Sequence, residues 1–307
     1  MENIVEVERG NMKENLYNAL LGSAIGDALG VPAEFKSRYE LKYKPITDMV
    51  DGGIWNQPAG TWSDDTAMSL ATIDALFKND FIVNDKTMHD IAGNFVDWYI
   101  NGTYAALKNR FDIGNTCRSA IVEYIKHGDA YNCGCKDEHA CGNGALMRII
   151  PATVLDEDAI LKISRLTHDN ITCDKCSLLY AKFINLLQTM DKKEAFDKLT
   201  RYCLDIEVYS LCRLKHDSFL RLQESDIKSS GYVVHTLEAA IWCFMNTKSY
   251  KECVLKAVNL GDDTDTVAAV AGGLAGLYYG INEEDGIPKD WIYKLRDKNT
   301  FDKICRV

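Results

Sequence analysis

Two stretches of this chain place aspartates side by side at the predicted start of a helix. The first is Gly60–Met68, "GTWSDDTAM", and the second is Gly261–Ala269, "GDDTDTVAA". One acidic residue can cap a helix start, because its carboxylate accepts a backbone N–H bond and suits the positive end of the helix dipole. Paired acids exceed that requirement, and the pattern occurs twice, which indicates a second role.

Both stretches concentrate hard oxygen ligands, the type that Mg²⁺, Mn²⁺ and Ca²⁺ prefer. The candidate ligands are Ser63, Asp64, Asp65, Asp263, Asp265 and Thr266. Carboxylates gathered in one place have raised pKa values and cost stability unless a cation neutralises them. A pair of metal ions would supply that charge. The alternative is two acid-rich helix starts that lie far apart in space.

The overall charge argues against two classes of partner. Lys and Arg number 35 against 45 Asp and Glu, giving a net charge of −10, so general attraction to nucleic acid or to an anionic membrane is not expected. A phosphate would have to be bound by backbone donors, local arginines or metal ions. The glycine-flanked loop "CGNG", Cys141–Gly144, precedes a predicted helix and offers such donors, although an ordinary glycine turn has the same pattern.

The positioning elements are predicted to be helices. Apolar residues recur three and four positions apart in "LYNALLGSAIGDAL", "CSLLYAKFINLL" and "VVHTLEAAIWCFM", whereas strand-like alternation is scarce. No linker or internal repeat is visible, so residues 1–307 are predicted to form a single all-α domain of roughly ten or more helices. The stretch Thr266–Asn282 is rich in small residues, which favours close helix packing in a core over a membrane span.

The cysteines and the N-terminus predict a cytoplasmic protein with reduced thiols. The first residues carry glutamates and lack the basic-then-apolar order of a secretory signal, and the eleven cysteines are an odd number. Two tight groups of cysteines are an exception and suggest a structural Zn²⁺ site, in which a Cys-x-x-Cys pair is completed by two further thiolates or by His139. These cysteines are Cys133, Cys135, Cys141, Cys173 and Cys176. Unconnected cytoplasmic thiols are the alternative, because Cys-x-Cys is not a usual zinc spacing.

Six segments, in order, resemble the ADP-ribosylglycohydrolase family. They are "GSAIGDALGVPAEF", "GTWSDDTAMSL", "DIGNTC", "CGNGALMRIIP", "ISRLTHDN" and "GDDTDTVAAVAGGLAGLYYG", and they span about Leu16 to Gly280. "DIGNTC" and "SSGYVVHTLEAAIWCF" look most like the bacterial dinitrogenase reductase-activating branch, which removes ADP-ribose from arginine. The resemblance implies an all-α, orthogonal multi-helix domain with two Mg²⁺ or Mn²⁺ ions in a cleft. The six oxygen ligands above would hold them, while Asp262 replaces a commonly found glycine and stays outside the set.

The resemblance also gives roles to residues that are ambiguous on their own. Glu34 and Asp112 become the acid-base candidates, although alone they read as a loop carboxylate and a helix N-cap. The implied substrate-binding residues are Asn115, Asn143, Gly144, Ala145, His168 and Tyr232. For His168 a position at a helix end, and for Tyr232 a core aromatic, are the structural alternatives.

The expected function is metal-dependent removal of ADP-ribose from a modified acceptor, most directly an arginine of a protein. An ADP-ribosylated protein would be the partner and ADP-ribose the product. Three alternatives stay open: hydrolysis of serine-linked or non-protein conjugates, a non-catalytic ADP-ribose-binding protein of the same fold, and a different Mg²⁺-dependent hydrolase of a nucleotide or phosphoester.

Overall fold

Helices dominate the computed structural model, which describes residues 2–204 and 208–305. Its α-helices are α1 (Glu2–Gly30), α2 (Arg38–Tyr43), α3 (Asp64–Lys78), α4 (Asp85–Asn101), α5 (Asn115–His127), α6 (Glu157–Arg165), α7 (Ile171–Leu187), α8 (Lys192–Leu204), α9 (Val233–Met245), α10 (Tyr250–Val258), α11 (Thr264–Tyr279), α12 (Lys289–Lys294) and α13 (Lys298–Cys305). Across these two ranges, β pairing is limited to three isolated bridges. The all-α prediction is confirmed.

The most extensive helix pair joins α1 to α11. The second half of α1 has a glycine at every fourth position, at Gly22, Gly26 and Gly30. A Cβ atom at Gly26 would lie 2.1 Å from the carbonyl oxygen of Ala268, and one at Gly30 would lie 2.2 Å from the Cα of Asp265. Positions four apart share one helix face, so the two backbones touch along this stripe. The contact sets the end of α1 against the acidic start of α11.

Helix α11 is the central helix of the described chain. It is buried from Thr264 to Leu277, because α1, α9 and α10 all pack against it. Its small residues therefore serve close packing inside the core, as predicted. Among the helices of the described ranges, none combines the length and apolarity that a membrane crossing requires.

The glycine stripe gives a testable expectation for stability. We expect Gly26→Ala to lower the free energy of unfolding by about 2 kcal/mol, because the new methyl group would force the α1 and α11 backbones apart. The matched control is Gly93→Ala in α4, where an added Cβ meets no atom within 4 Å. This control should gain about 0.5–1 kcal/mol from the better helix propensity of alanine. Urea denaturation of both variants measures the difference, and equal stabilities would contradict the close contact.

Candidate active site

The two acid-rich helix starts lie next to each other. Helix α3 begins with Asp64, and the Ser63 hydroxyl caps it by accepting the Asp65 N–H at 3.3 Å. From the start of α11, the Thr266 hydroxyl donates to Asp65 Oδ1 at 3.3 Å. The sequence interpretation in which the two starts lie far apart is therefore wrong, and the aspartates form one cluster.

Asp27 on α1 completes the cluster, and sequence reasoning gave it no role. Its fully buried carboxylate accepts the Ser63 N–H at 2.9 and 3.0 Å, the Thr66 N–H at 3.1 Å and the Thr66 hydroxyl at 2.6 Å. Asp27 thus caps α3 from another helix. The available signal was a single acid within the apolar run "LLGSAIGDALG", since a charge on a buried face needs partners.

Within the described ranges, two groups of carboxylates have ligand atoms within 4.8 Å of one another. The deeper group contains Asp27, Asp65 and Asp265, and the second contains Glu34, Asp112 and Asp265. Asp265 belongs to both. Asp64 and Asp263, which the sequence interpretation placed among the metal ligands, are in neither group.

The unpaired oxygens of these carboxylates fit a site for a divalent cation. Asp65 Oδ2 and both carboxylate oxygens of Asp265 are buried without any hydrogen-bond partner. A buried carboxylate oxygen without a donor is costly, and hard oxygen ligands of this kind suit Mg²⁺ or Mn²⁺. Asp27 differs, because its oxygens already accept bonds from Ser63 and Thr66. Its main role is therefore to hold the start of α3.

The pKa values of the cluster are raised. Burial is the largest cause for each group, and it brings the pKa of Asp27 to about 6 and that of Glu34 to about 9. Burial likewise raises the pKa values of Asp64, Asp65, Asp112, Asp263 and Asp265. For Glu34 the charge of Asp112 is the second cause. Without a cation the cluster favours protonated carboxyl groups, so binding of a divalent ion would release protons.

A cavity of about 650 Å³ opens above this cluster. The predicted site residues that line it are Glu34, Asp64, Asp112, Asn115, Asn143, Gly144, His168, Asp263 and Thr266. Ser63, Asp65, Asp265 and Ala145 are buried and do not line it. Tyr232 also lies outside the lining, and its ring packs edge-on against His235 at 5.0 Å.

The "CGNG" loop is fixed by contacts that its sequence did not predict. Asn143 donates its side-chain amide to Asp263 Oδ2 at 2.8 Å and to Thr236 Oγ1 at 2.9 Å, and its backbone N–H to Gly231 O at 3.1 Å. The Asn143 N–H is therefore not free for a phosphate. The predicted helix after this loop is only a 3-10 turn, Leu146–Arg148. Asn143 acts in this structure as a brace between the loop and the acidic cluster.

His168 lies behind the same loop. A Cβ added to Gly144 would come within 2.9 Å of the His168 ring, so only glycine permits this approach. The His168 Nδ1 atom is 2.8 Å from the Thr167 hydroxyl, which also accepts from Arg148 at 2.6 Å. We assign the Thr167 hydroxyl as the donor and Nδ1 as the acceptor of this hydrogen bond. In a neutral ring the proton is then on Nε2, which can donate to another group. Arg148 itself is buried and also donates to Ile163 O, so it is a structural residue.

The burial of His168 gives a pH prediction. Burial lowers the pKa of His168 to about 3, below the roughly 6.5 of an unfolded chain, so its contribution to stability is complete above about pH 6.5. That contribution is lost as the pH falls towards 3, by about 1.4 kcal/mol per pH unit. Between pH 6.5 and 4.5, we expect this contribution to cost the wild type about 2–3 kcal/mol in free energy of unfolding. The His168→Gln variant should lack that cost.

Urea denaturation across this pH range measures the effect. His89→Gln serves as the control, because it makes the same substitution at an exposed histidine. A His168→Gln variant with the wild-type slope would contradict a buried, neutral His168.

Trp55 is a second residue that sequence reasoning missed. Its indole Nε1–H donates to Glu34 Oε2, and its ring packs against Phe111 with centroids 5.9 Å apart. Phe111 precedes Asp112, so Trp55 contacts the surroundings of both acid-base candidates. The contact joins segments 21 residues apart across loops, and no local pattern in the sequence indicates it.

The cysteines do not assemble into the predicted zinc site. Within the described ranges, no group of three potential ligands within 4.8 Å includes a cysteine. Cys173 and Cys176 lie buried on α7, and the Cys173 thiol donates to Gly142 O at 3.5 Å. The Cys141 thiol donates to Glu138 O at 2.9 Å. The structure therefore gives no support to Zn²⁺ at Cys133, Cys135, Cys141, Cys173 and Cys176.

Comparisons with known proteins bear on the family to which this chain belongs. A family model described as ADP-ribosylglycohydrolase matches residues 8–307. The chain is 32% identical over 299 residues to ADP-ribosylarginine hydrolase Tri1 of Pseudomonas putida (strain GB-1), an alignment that covers 94% of this chain and 76% of the relative. It is 30% identical over 296 residues to ADP-ribosyl-[dinitrogen reductase] glycohydrolase of Rhodospirillum rubrum, covering 93% and 91%.

A comparison of the fold with solved structures finds a similar chain. A solved structure titled "ADP-ribosylglycohydrolase-related protein complex" superposes with a TM-score of 0.79 at 28% sequence identity, covering 95% of this chain and 96% of that chain.

Proposed function

Because this chain belongs to the ADP-ribosylglycohydrolase family, we propose that it removes ADP-ribose from a modified arginine of a protein. The observation that carries the proposal is Asp265, which both acidic groups share and whose carboxylate oxygens have no partner. Arginine is the proposed acceptor because two relatives at 30% identity or more are an ADP-ribosylarginine hydrolase and a dinitrogen reductase glycohydrolase. We further propose that residues 1–307 form one domain.

In the proposed reaction, the bond between ribose C1″ and a guanidinium nitrogen breaks. Water supplies the hydroxyl group to C1″ and a proton to the departing nitrogen, so the products are ADP-ribose and unmodified arginine. Two Mg²⁺ or Mn²⁺ ions would orient the ribose hydroxyls and lower the pKa of the attacking water. Their proposed ligands are Ser63, Asp64, Asp65, Asp263, Asp265 and Thr266, with Asp65 and Asp265 contributing the oxygens that lack donors.

The remaining residues divide by their position in the cavity. Glu34 and Asp112 line the cavity, whereas Asp65 and Asp265 are buried and do not line it. This difference supports the proposal that Glu34 and Asp112 exchange protons with a bound substrate. Trp55 fixes the Glu34 carboxyl group through its indole N–H. His168 offers Nε2–H to a substrate oxygen, and Asn115 and Gly144 complete the wall beside it. In this proposal, each of these residues binds the substrate, orients another residue or moves a proton.

Release of free ADP-ribose tests the proposal. The assay uses a protein carrying ADP-ribosyl-arginine, with Mn²⁺ or Mg²⁺, beside an EDTA control and a peptide carrying serine-linked ADP-ribose. We expect metal-dependent release from arginine and at least tenfold slower release from serine. Release from serine alone would overturn the proposed acceptor. No release from either, with measurable ADP-ribose binding, would favour a non-catalytic binding protein.

A further inference from the structure

Phe35 and Asp262 form a hydrogen-bonded pair at the cavity. The Phe35 N–H donates to the Asp262 carbonyl at 2.8 Å, and the Asp262 N–H donates to the Lys36 carbonyl at 2.8 Å. Both residues line the cavity described above. Phe35 directly follows Glu34, and Asp262 directly precedes Asp263, so the pair joins the loop that carries the acid-base residue to the loop that carries a proposed metal ligand.

Neither of these two side chains is buried in the protein core. Phe35 is 63% exposed, and Asp262 is also exposed. In the described part of the chain, the Asp262 carboxylate has no hydrogen bond or ion pair. Both residues have φ near 62°, a left-handed conformation that is rare for a bulky residue and costs roughly 1–2 kcal/mol. The backbone hydrogen bond therefore holds together two cavity-lining residues, one with an exposed aromatic ring and one with an unpaired carboxylate.

We propose that Phe35 and Asp262 form the subsite for the acceptor side chain and select a planar cation such as guanidinium. The ring face of Phe35 would attract a cation, and the Asp262 carboxylate would accept two parallel N–H bonds from the same group. A hydroxyl acceptor such as serine has no charge for either contact. This inference rests on the proposed function, because it describes how the same cavity distinguishes acceptors.

The position of the pair separates its role from that of the ADP-ribose contacts. It adjoins Glu34, next to the proposed bond cleavage, whereas His168 and Gly144 form the wall used for the ADP-ribose moiety. Changes at the pair should therefore alter the affinity for the acceptor while leaving affinity for free ADP-ribose unchanged. A general loss of structure would change both.

The experiment compares the steady-state kinetics of Asp262→Asn and Phe35→Leu on an ADP-ribosyl-arginine peptide, together with inhibition by ADP-ribose. We expect kcat/KM to fall about tenfold for Asp262→Asn and about fivefold for Phe35→Leu, mainly through a higher KM. The inhibition constant of ADP-ribose should stay within twofold of the wild-type value. Asp80→Asn is the matched control, because Asp80 is also exposed with positive φ but does not line the cavity.

Asp262→Gly provides an independent variant, since glycine adopts this backbone conformation without strain. It should be at least as stable as the wild type and still show the raised KM. Unchanged KM in all three variants, or an equal loss of ADP-ribose affinity, would overturn the subsite while leaving the proposed function standing. A wild-type enzyme that releases no ADP-ribose from arginine would overturn the proposed function, and the subsite with it.

Discussion

Asp265→Asn is expected to lower kcat by about 10³-fold or more and to abolish Mn²⁺ binding. Asp265 belongs to both acidic groups, and each of its carboxylate oxygens is buried without a donor. Asparagine keeps the volume of the side chain but removes the charge and one ligand oxygen. Release of ADP-ribose and calorimetric titration with Mn²⁺ measure the two losses.

The free energy of unfolding of Asp265→Asn is expected to differ from that of the wild type in opposite directions without and with the metal. In EDTA we expect Asp265→Asn to be more stable than the wild type, because the substitution removes a carboxyl group whose ionised form is disfavoured first by burial and then by the charges of Glu34 and Asp112. With Mn²⁺ at about 100 times its Kd, the wild type should gain about 2.7 kcal/mol and the variant almost none. Thermal denaturation with and without the metal tests both statements.

The matched control is Asp290→Asn. Asp290 is the second residue of α12, as Asp265 is of α11, but it is exposed and lies 3.9 Å from Lys294. This control should change stability by less than about 0.5 kcal/mol and leave kcat unchanged. Mn²⁺ affinity of Asp265→Asn equal to that of the wild type would sink the metal assignment.

Glu34→Gln is expected to reduce kcat by about 10²–10³-fold while ADP-ribose affinity changes by less than threefold. Glutamine can still accept the Trp55 N–H through its carbonyl oxygen, so the side chain should keep its place. What it loses is the ability to exchange a proton. The measurement is kcat on ADP-ribosyl-arginine, paired with the inhibition constant of ADP-ribose.

Glu284→Gln, at an exposed glutamate of the loop before α12, serves as the control and should match the wild type. A parallel loss of ADP-ribose affinity in Glu34→Gln would show that Glu34 binds substrate or metal and does not transfer a proton. Unchanged kcat would remove Glu34 from the reaction.

Local sequence patterns were sufficient for the helices and for most of the acids. The recurrence of apolar residues three and four apart predicted the all-α fold, because a helix in a core must bury one face. The acid pairs at Asp64–Asp65 and at Asp263 and Asp265 predicted a cation site, since clustered carboxylates require neutralisation. Glu34 and Asp112 needed the family resemblance, because an isolated loop acid has no pattern of its own.

Only the tertiary structure decided which oxygens remain without partners. Close contact of α1 with α11 through Gly26 and Gly30 brings Asp27 to the start of α3, where it becomes a cap. The same packing leaves Asp265 without donors. The contact of the Asn143 side-chain amide with Asp263 also depends on the tertiary structure, because the two residues are 120 positions apart.

The physical reason is the range of the interactions. Periodicity and capping are set within one or two helical turns, so a sequence window reports them. The contact between Thr266 and Asp65 joins residues 201 positions apart, and the contact between Trp55 and Glu34 joins two loops. Such contacts depend on how closely whole helices approach. The sequence by itself therefore determined the helices and the acidic character of the site, and the packing of α1 against α11 decided which carboxylates it exposes, pairs or leaves unpaired.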